Sequence, residues 1–190
     1  MGRNIQTVFQ DSYSAVNPRM TAEDIIAEPL DNFEPAKDTE RRRIVIDLLE
    51  RVGLAEPDLK KYPHEFSGGQ LQRISIARAI SIKPKLIVLD ESVSSLDMVT
   101  KTVILELLSD LKKDLGVSYL FITHDVKAAC FLSDTLGVLE KGELVDTFSS
   151  KDSFLASRHP AVEKMLASTL SDHPADRSIR RAKPLVSVSK

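Results

Sequence analysis

The chain has no tryptophan, one cysteine and only 5% aromatic residues in a length of 190. So few aromatic rings leave little material for stacking on nucleic-acid bases. A formal net charge of −2 gives no general polyanion-binding face either, so no nucleic-acid partner is expected. Cys130 has no second cysteine for an internal disulfide, which suits a reducing compartment. No apolar run approaches the roughly 20 residues of a membrane-spanning helix, and the opening residues lack the pattern of a secretion signal. Gly2 is followed by Gln6 where a myristoylation signal carries Ser or Thr. His64, His159, His173 and Cys130 lack the close ligand spacing of a structural metal site. One further absence bears directly on chemistry. Nowhere in the chain is there a G-x-x-x-x-G-K-[ST] phosphate loop.

What is present nonetheless points to phosphate handling. Phe66-Ser67-Gly68-Gly69-Gln70 puts two glycines at a helix start, where bare backbone N–H groups form a ready anion site. Ser67 can cap that helix or donate its hydroxyl to a phosphate. A tight turn needing two glycines is the plainer alternative. Leu86-Ile87-Val88-Leu89 then reads as a buried parallel strand that ends in Asp90-Glu91. A carboxylate at the carboxyl end of such a strand can hold Mg²⁺, and its neighbour can orient or deprotonate water. Glu91 is therefore the candidate general base. His124, just past a second strand in Thr123-His124-Asp125, is placed to reach a γ-phosphate or that base.

The rest of the chain supplies the frame for an α/β fold. Residues 5–9 read as a strand, and Asn17-Pro18 as the turn of the loop that follows. Thr21 starts a short helix that Pro29 is expected to close, and a polar linker covers residues 31–39. Ile44, Leu48, Leu49 and Val52 form the apolar stripe of a second helix that stops at Gly53. Leu71, Ile74, Ala77 and Ile80 belong to the helix that Ser67 opens, and Pro84 marks its end. Val99, Val103, Leu107 and Leu111 are expected to be the buried stripe of the next helix, ending at Gly116. Residues 118–123 read as a strand, 136–139 and 144–148 as a hairpin around Lys141-Gly142. Two short helices are expected within 151–168, and a loosely held tail over 171–190.

The whole constellation resembles the ATP-binding subunit of an ATP-binding cassette (ABC) transporter, within the dipeptide, oligopeptide and nickel importer group. Phe66 to Arg73 looks like the signature motif, Leu86 to Asp90 like the Walker B strand, and Glu91 like the catalytic glutamate. Ser94-Ser95-Leu96-Asp97 matches the D-loop, His124 the switch histidine and Gln10 the Q-loop glutamine. Val8 to Arg19 is especially similar to nickel-import ATP-binding proteins of the NikE type. The departures are Phe66 and Ser92, where leucine and alanine or proline are usual, and the absent phosphate loop.

The resemblance implies a P-loop NTPase (RecA-like) core with a helical subdomain, truncated at its amino end by about 80 residues of the family pattern. The expected layout is a Q-loop strand and loop at 1–17, a helical subdomain with the signature at 18–82 and a Walker B, D-loop and switch core at 83–150. Carboxyl-terminal helices at 151–170 and the tail at 171–190 complete it. Without the strand that leads into the phosphate loop, the sheet is expected to expose an edge that needs cover. The implied ligands are ATP with Mg²⁺. Catalytic roles fall to Glu91 and His124, nucleotide contacts to Gln10, Ser67, Gly68, Gly69, Gln70, Asp90 and Asp97, and metal contacts to Gln10 and Asp90. The implied partners are a second ATPase subunit, transmembrane permease subunits and, indirectly, an extracytoplasmic substrate-binding protein. The chain is expected to sit peripherally on the cytoplasmic face of the membrane, coupling ATP hydrolysis to uptake of nickel or di- and oligopeptides. The alternative is a non-catalytic fragment that completes a partner's site with the signature motif alone.

Overall fold

Three short strands set the frame, β1 (Ile5–Val8), β2 (Leu86–Asp90) and β3 (Ser118–Thr123), and accessibility alternates along the last two. A computed structural model describes residues 2–35, 37–170 and 185–189. β1 pairs with β2 in parallel, Ile5 opposite Leu86, and β2 pairs in parallel with β3, Asp90 opposite Ile122. Because side chains alternate along a strand, Ile87 and Leu89 of β2 face the core with Tyr119 and Phe121 of β3. Burial holds the Tyr119 phenol in its protonated form, its pKa pushed well up, and its hydroxyl donates to the Leu108 carbonyl at 3.1 Å.

The second half of the sheet is antiparallel. β4 (Thr135–Glu140) and β5 (Glu143–Phe148) form the expected hairpin, and its turn residues Lys141 and Gly142 have φ of 54° and 88°. Positive φ at both central residues gives the turn whose twist matches the strands it joins. The last strand, β6 (Leu185–Ser189), completes the sheet order β1-β2-β3-β6-β4-β5. The carboxyl-terminal tail therefore differs from the sequence expectation. Residues 171–184 lie outside the described residues, but 185–189 are an interior strand, antiparallel to β3 and β4.

Helix α1 (Ala22–Phe33) opens on a capping box between Thr21 and Asp24. It does not end at Pro29, as the sequence suggests, but runs through it for four more residues. Proline removes one backbone N–H. Ile25, Ile26 and Leu30 are almost completely buried around it, and that packing holds the helix together. Helix α2 (Asp38–Arg51) buries Val45, Leu48 and Leu49 and is tied to α1 by Arg41 with Asp31 and by Arg42 with Glu23. Short 3-10 turns at Glu56–Lys60 and Pro63–Glu65 lead to α3 (Gly68–Ile80). That helix is buried on nearly every side, under α1 and α2 and against β1.

Helix α4 (Met98–Leu115) corrects a second expectation. Val99 and Val103 are 74% and 45% exposed, whereas Ile104, Leu105, Leu108 and Leu111 are buried. A spacing of four drifts about 40° per step around a 3.6-residue helix. The stripe read from Val99 therefore wraps off the buried face, and the 104–108–111 spacing stays on it. Helices α5 (Val126–Leu132), α6 (Lys151–Leu155) and α7 (Pro160–Leu170) close a smaller core with β4 and β5. Phe148 and Phe154 meet there edge to face, with centroids 5.3 Å apart. Among the described residues, no helix is long and apolar enough to cross a membrane.

Candidate functional site

The parallel register of β2 and β3 brings two chain ends together. Asp90 closes β2 opposite Ile122, so Glu91 comes level with the turn after β3 that carries His124. Glu91 departs from the strand with φ of 47°, a left-handed conformation uncommon for a side chain with a Cβ. Two backbone bonds hold it there: its N–H donates to Ile122 O at 2.9 Å, and its carbonyl accepts from Ser94 N–H at 3.0 Å. The result places Glu91 Oε1 3.5 Å from His124 Nδ1. The contact is within ion-pair reach when the imidazole is charged, and it is longer than an ordinary hydrogen bond.

The turn that carries His124 is held by the residues on either side of it. Thr123 Oγ1 accepts the Asp125 N–H at 3.0 Å, and the Asp125 carboxylate caps α5 by accepting the Ala128 N–H at 3.1 Å. Asp125 also pairs with Lys101 of α4 at 2.7 Å. Burial raises the pKa of this carboxyl, but the Lys101 and Ala128 hydrogen bonds outweigh it, and the net shift is downward.

The loop after β1 makes the third wall. Asp11 accepts from the N–H groups of Tyr13 and Ser14 at 3.0 and 3.2 Å and from the Ser14 hydroxyl at 2.5 Å. These bonds, the Ser14 hydroxyl first, hold the Asp11 carboxyl below its ordinary pKa. Ser12 turns inward instead and donates to Gln72 of α3, a buried contact that ties the loop to that helix. Phe9, Gln10, Asp11, Asp90, Glu91 and Ile122 thereby line one open cleft of about 430 Å³.

Of the residues singled out by sequence, Gln10, Asp90 and Glu91 share this cleft, and His124 joins them through Glu91. Gly68 lines a neighbouring cleft of about 290 Å³ with Gln10, Ser95 and Leu96. Ser67, Gly69, Gln70 and Asp97 line neither. Ser67 and Gln70 cap α3 reciprocally, Ser67 Oγ accepting the Gln70 N–H and Gln70 Oε1 accepting the Ser67 N–H. Asp97 caps α4, accepting from the Thr100 N–H at 3.0 Å and the Thr100 hydroxyl at 2.6 Å. Gly69 has a packing reason to be glycine: a Cβ there would stand 2.3 Å from Thr100 Cγ2. Sequence reasoning overlooked Asp11 as a lining group, although Asp followed by Ser three places on is the signal of a side-chain-bonded turn.

The cleft offers hard oxygen donors: the Asp90 and Glu91 carboxylates and the Gln10 amide. The described residues contain no cluster of three or more His, Cys, Asp and Glu that could hold a metal by themselves. This partial donor set fits Mg²⁺, which keeps several waters and takes one or two carboxylates together with substrate phosphates.

Comparison with known proteins extends this picture. The sequence model of the ABC transporter family matches residues 1–94. The oligopeptide transport ATP-binding protein OppF of Bacillus subtilis (strain 168) is 42% identical over 183 residues, 95% of this chain and 60% of that protein. The glutathione import ATP-binding protein GsiA of Escherichia coli (strain K12) is 42% identical over 181 residues, 94% of this chain and 29% of that protein. The solved dimer of the ATP-binding cassette MJ0796 in a post-hydrolysis state, bound to ADP and phosphate, superposes with a TM-score of 0.68 at 31% identity. That match covers 77% of this chain and 63% of the other. CbiO1 of Clostridium perfringens, part of the transporter complex cbiONQ, gives a TM-score of 0.72 at 27% identity, over 81% of this chain and 60% of the other. The chain therefore spans about 60% of the length of the OppF relative. The likeness establishes the fold as an α/β RecA-like P-loop NTPase core with a helical subdomain.

Proposed function

This chain is related to the ATP-binding subunits of ABC transporters, and from that premise we propose that it acts in ATP hydrolysis coupled to import of a small peptide. One observation carries the reading: Gln10, Asp90 and Glu91 line a single cleft, with His124 3.5 Å from the Glu91 carboxylate. Glu91 takes the proton of a water that attacks the γ-phosphorus, the new P–O bond forms as the bond to ADP breaks, and phosphate leaves. His124 orients Glu91 and the γ-phosphoryl oxygens. Asp90 and Gln10 are the groups that would hold Mg²⁺, which supplies charge neutralisation along the phosphate chain.

The α3 amino terminus serves a different nucleotide in this proposal, one held mainly by a second ATP-binding subunit. Gly68 has open space beyond its Cα, and no phosphate loop lies within the 190 residues. A second reading rests on the same two observations: the chain contributes only this signature face to a partner's site. The cleft of about 260 Å³ between the start of the sheet and the helical layer is lined by Phe9, Pro29, Phe33 and Arg78 and is proposed to receive a permease segment. That contact would hold the subunit peripherally on the cytoplasmic face, with an extracytoplasmic binding protein delivering cargo. The names of the oligopeptide and glutathione relatives support a peptide cargo. Nickel, suggested by the Val8–Arg19 segment, is the narrower alternative.

Calorimetric titration of Mg-ATP into the folded chain, alone and with the transporter's second ATP-binding subunit, tests the proposal. Binding that Asp90→Asn weakens supports it. Binding indifferent to that change, or no binding in either setting, contradicts it.

A further inference from the structure

Helices α5, α6 and α7 form a cleft of about 490 Å³ against the smaller core. It shares no lining residue with the two clefts around Gln10. Helical spacing builds one wall: Val126 lies one turn from Cys130, and Lys127 one turn from Phe131, in neighbouring rows of α5. Leu155 of α6 and Leu166 of α7 complete the apolar part, and Lys151 at the start of α6 adds a second cation. Phe131 is 56% exposed and Leu155 45%, so the wall holds apolar surface against water. A ligand that covered it would gain from that burial.

The chemistry of the lining narrows what can bind. No lining side chain is a carboxylate, an amide or a hydroxyl. A ligand rich in hydrogen-bonding groups would therefore leave most of them desolvated and unpaired. The two ammonium groups are donors only, and among the described residues neither has a salt-bridge partner. They complement a compact anion. We propose that this cleft binds an aliphatic carboxylate, its chain along Val126, Phe131, Leu155 and Leu166 and its head group at Lys127 and Lys151. A cleft of several hundred Å³ with an apolar lining and a few polar groups suits a small organic ligand. The inference does not depend on the reaction proposed above, because the two sites have no residue in common.

Cys130, the chain's one cysteine, lies in the wall and reports on occupancy. Burial pushes its thiol pKa up and Lys151 opposes that, so each variant is compared with its own ligand-free rate at one fixed pH. The test follows alkylation of the full chain by N-ethylmaleimide, with circular dichroism reporting the fold. The probe is decanoate, kept below the concentration at which it aggregates. At saturation it should slow alkylation of the folded chain about tenfold or more, since thiol reactivity depends on access. The control, 1-decanol, has the same chain and no charge, and should need about fivefold more for half protection. Lys127→Gln combined with Lys151→Gln should remove that difference between the two probes. No protection by decanoate, or equal protection of the wild type by decanol, overturns the proposal. So does a thiol that fails to react in the ligand-free folded chain, because the chain itself then covers the cleft. Ligand-free protection that grows with protein concentration overturns it too, and assigns the cleft to a second copy.

Discussion

His124 Nδ1 stands 3.5 Å from Glu91 Oε1, and the contact exists because Glu91 leaves its strand with φ of 47°. A left-handed non-glycine residue costs on the order of 1–2 kcal/mol. Here two backbone hydrogen bonds, from the Glu91 N–H to Ile122 and from the Ser94 N–H to Glu91, hold the turn in place. The cost falls at the residue whose carboxylate the proposed chemistry needs, and the surrounding strands over-determine it.

Gly69 and Thr100 set the spacing between the starts of α3 and α4. Gly69→Ala should destabilise the fold by about 1–3 kcal/mol through overpacking against Thr100 Cγ2. Gly68→Ala, with nothing within 4 Å of its Cβ, should change stability by about 0.5 kcal/mol or less. Urea denaturation of both variants checks the contrast. Adding Thr100→Ser, which removes the obstructing methyl, should restore most of the Gly69→Ala loss.

Ser12 and Gln72 form a buried polar pair between the loop that carries Gln10 and helix α3. The Gln72 amide nitrogen already lacks a partner. Ser12→Ala would leave the carbonyl end unpaired as well, at a cost of about 1–3 kcal/mol. Replacing both residues, with Gln72→Leu, should cost less than the two single changes added together. A double-mutant cycle by chemical denaturation measures that difference.

Asp125 should contribute a pH-dependent part of stability. Its folded pKa is depressed, the Lys101 and Ala128 hydrogen bonds outweighing burial. Its contribution is therefore fully present above the unfolded value of about 3.9 and is lost as pH falls through the lower folded value. Asp125→Asn keeps a capping side chain and removes the charge. The stability gap between wild type and variant should be constant above about pH 5 and shrink below about pH 4. A gap independent of pH in acid denaturation would contradict this assignment.

Phe154 anchors the smaller core, fully buried and edge-on to Phe148. Phe154→Ala should cost about 3–5 kcal/mol. Hydrogen exchange should show the loss concentrated in α6, α7 and the β4–β5 hairpin.

Much of this arrangement was readable in the chain. Leu86 to Asp90 and Ser118 to Thr123 announced neighbouring strands, and their parallel register brings Asp90-Glu91 level with His124. The departures have physical causes. Pro29 is a local helix breaker overridden by the burial of Ile25, Ile26 and Leu30. The buried face of α4 is not the Val99–Val103 stripe because a spacing of four drifts around the helix, which carries Val99 and Val103 to the exposed side. The caps at Ser67 and Asp97 are local and legible, whereas the contact of Gly69 with Thr100 depends on how two helices meet. Nothing in a polar, proline-broken tail marked residues 185–189 as an interior strand, since that pairing depends on the gap between β3 and β4.

Steady-state ATP hydrolysis by the proposed transporter assembly, with this chain wild type or carrying Glu91→Gln, tests the proposed role of the Glu91–His124 pair most directly. The substitution keeps the shape and polarity of the side chain and removes its capacity to take a proton. The expected result is a fall in hydrolysis of about 10²-fold or more with Mg-ATP binding retained. Undiminished hydrolysis by the variant would contradict the assignment of Glu91 as the general base.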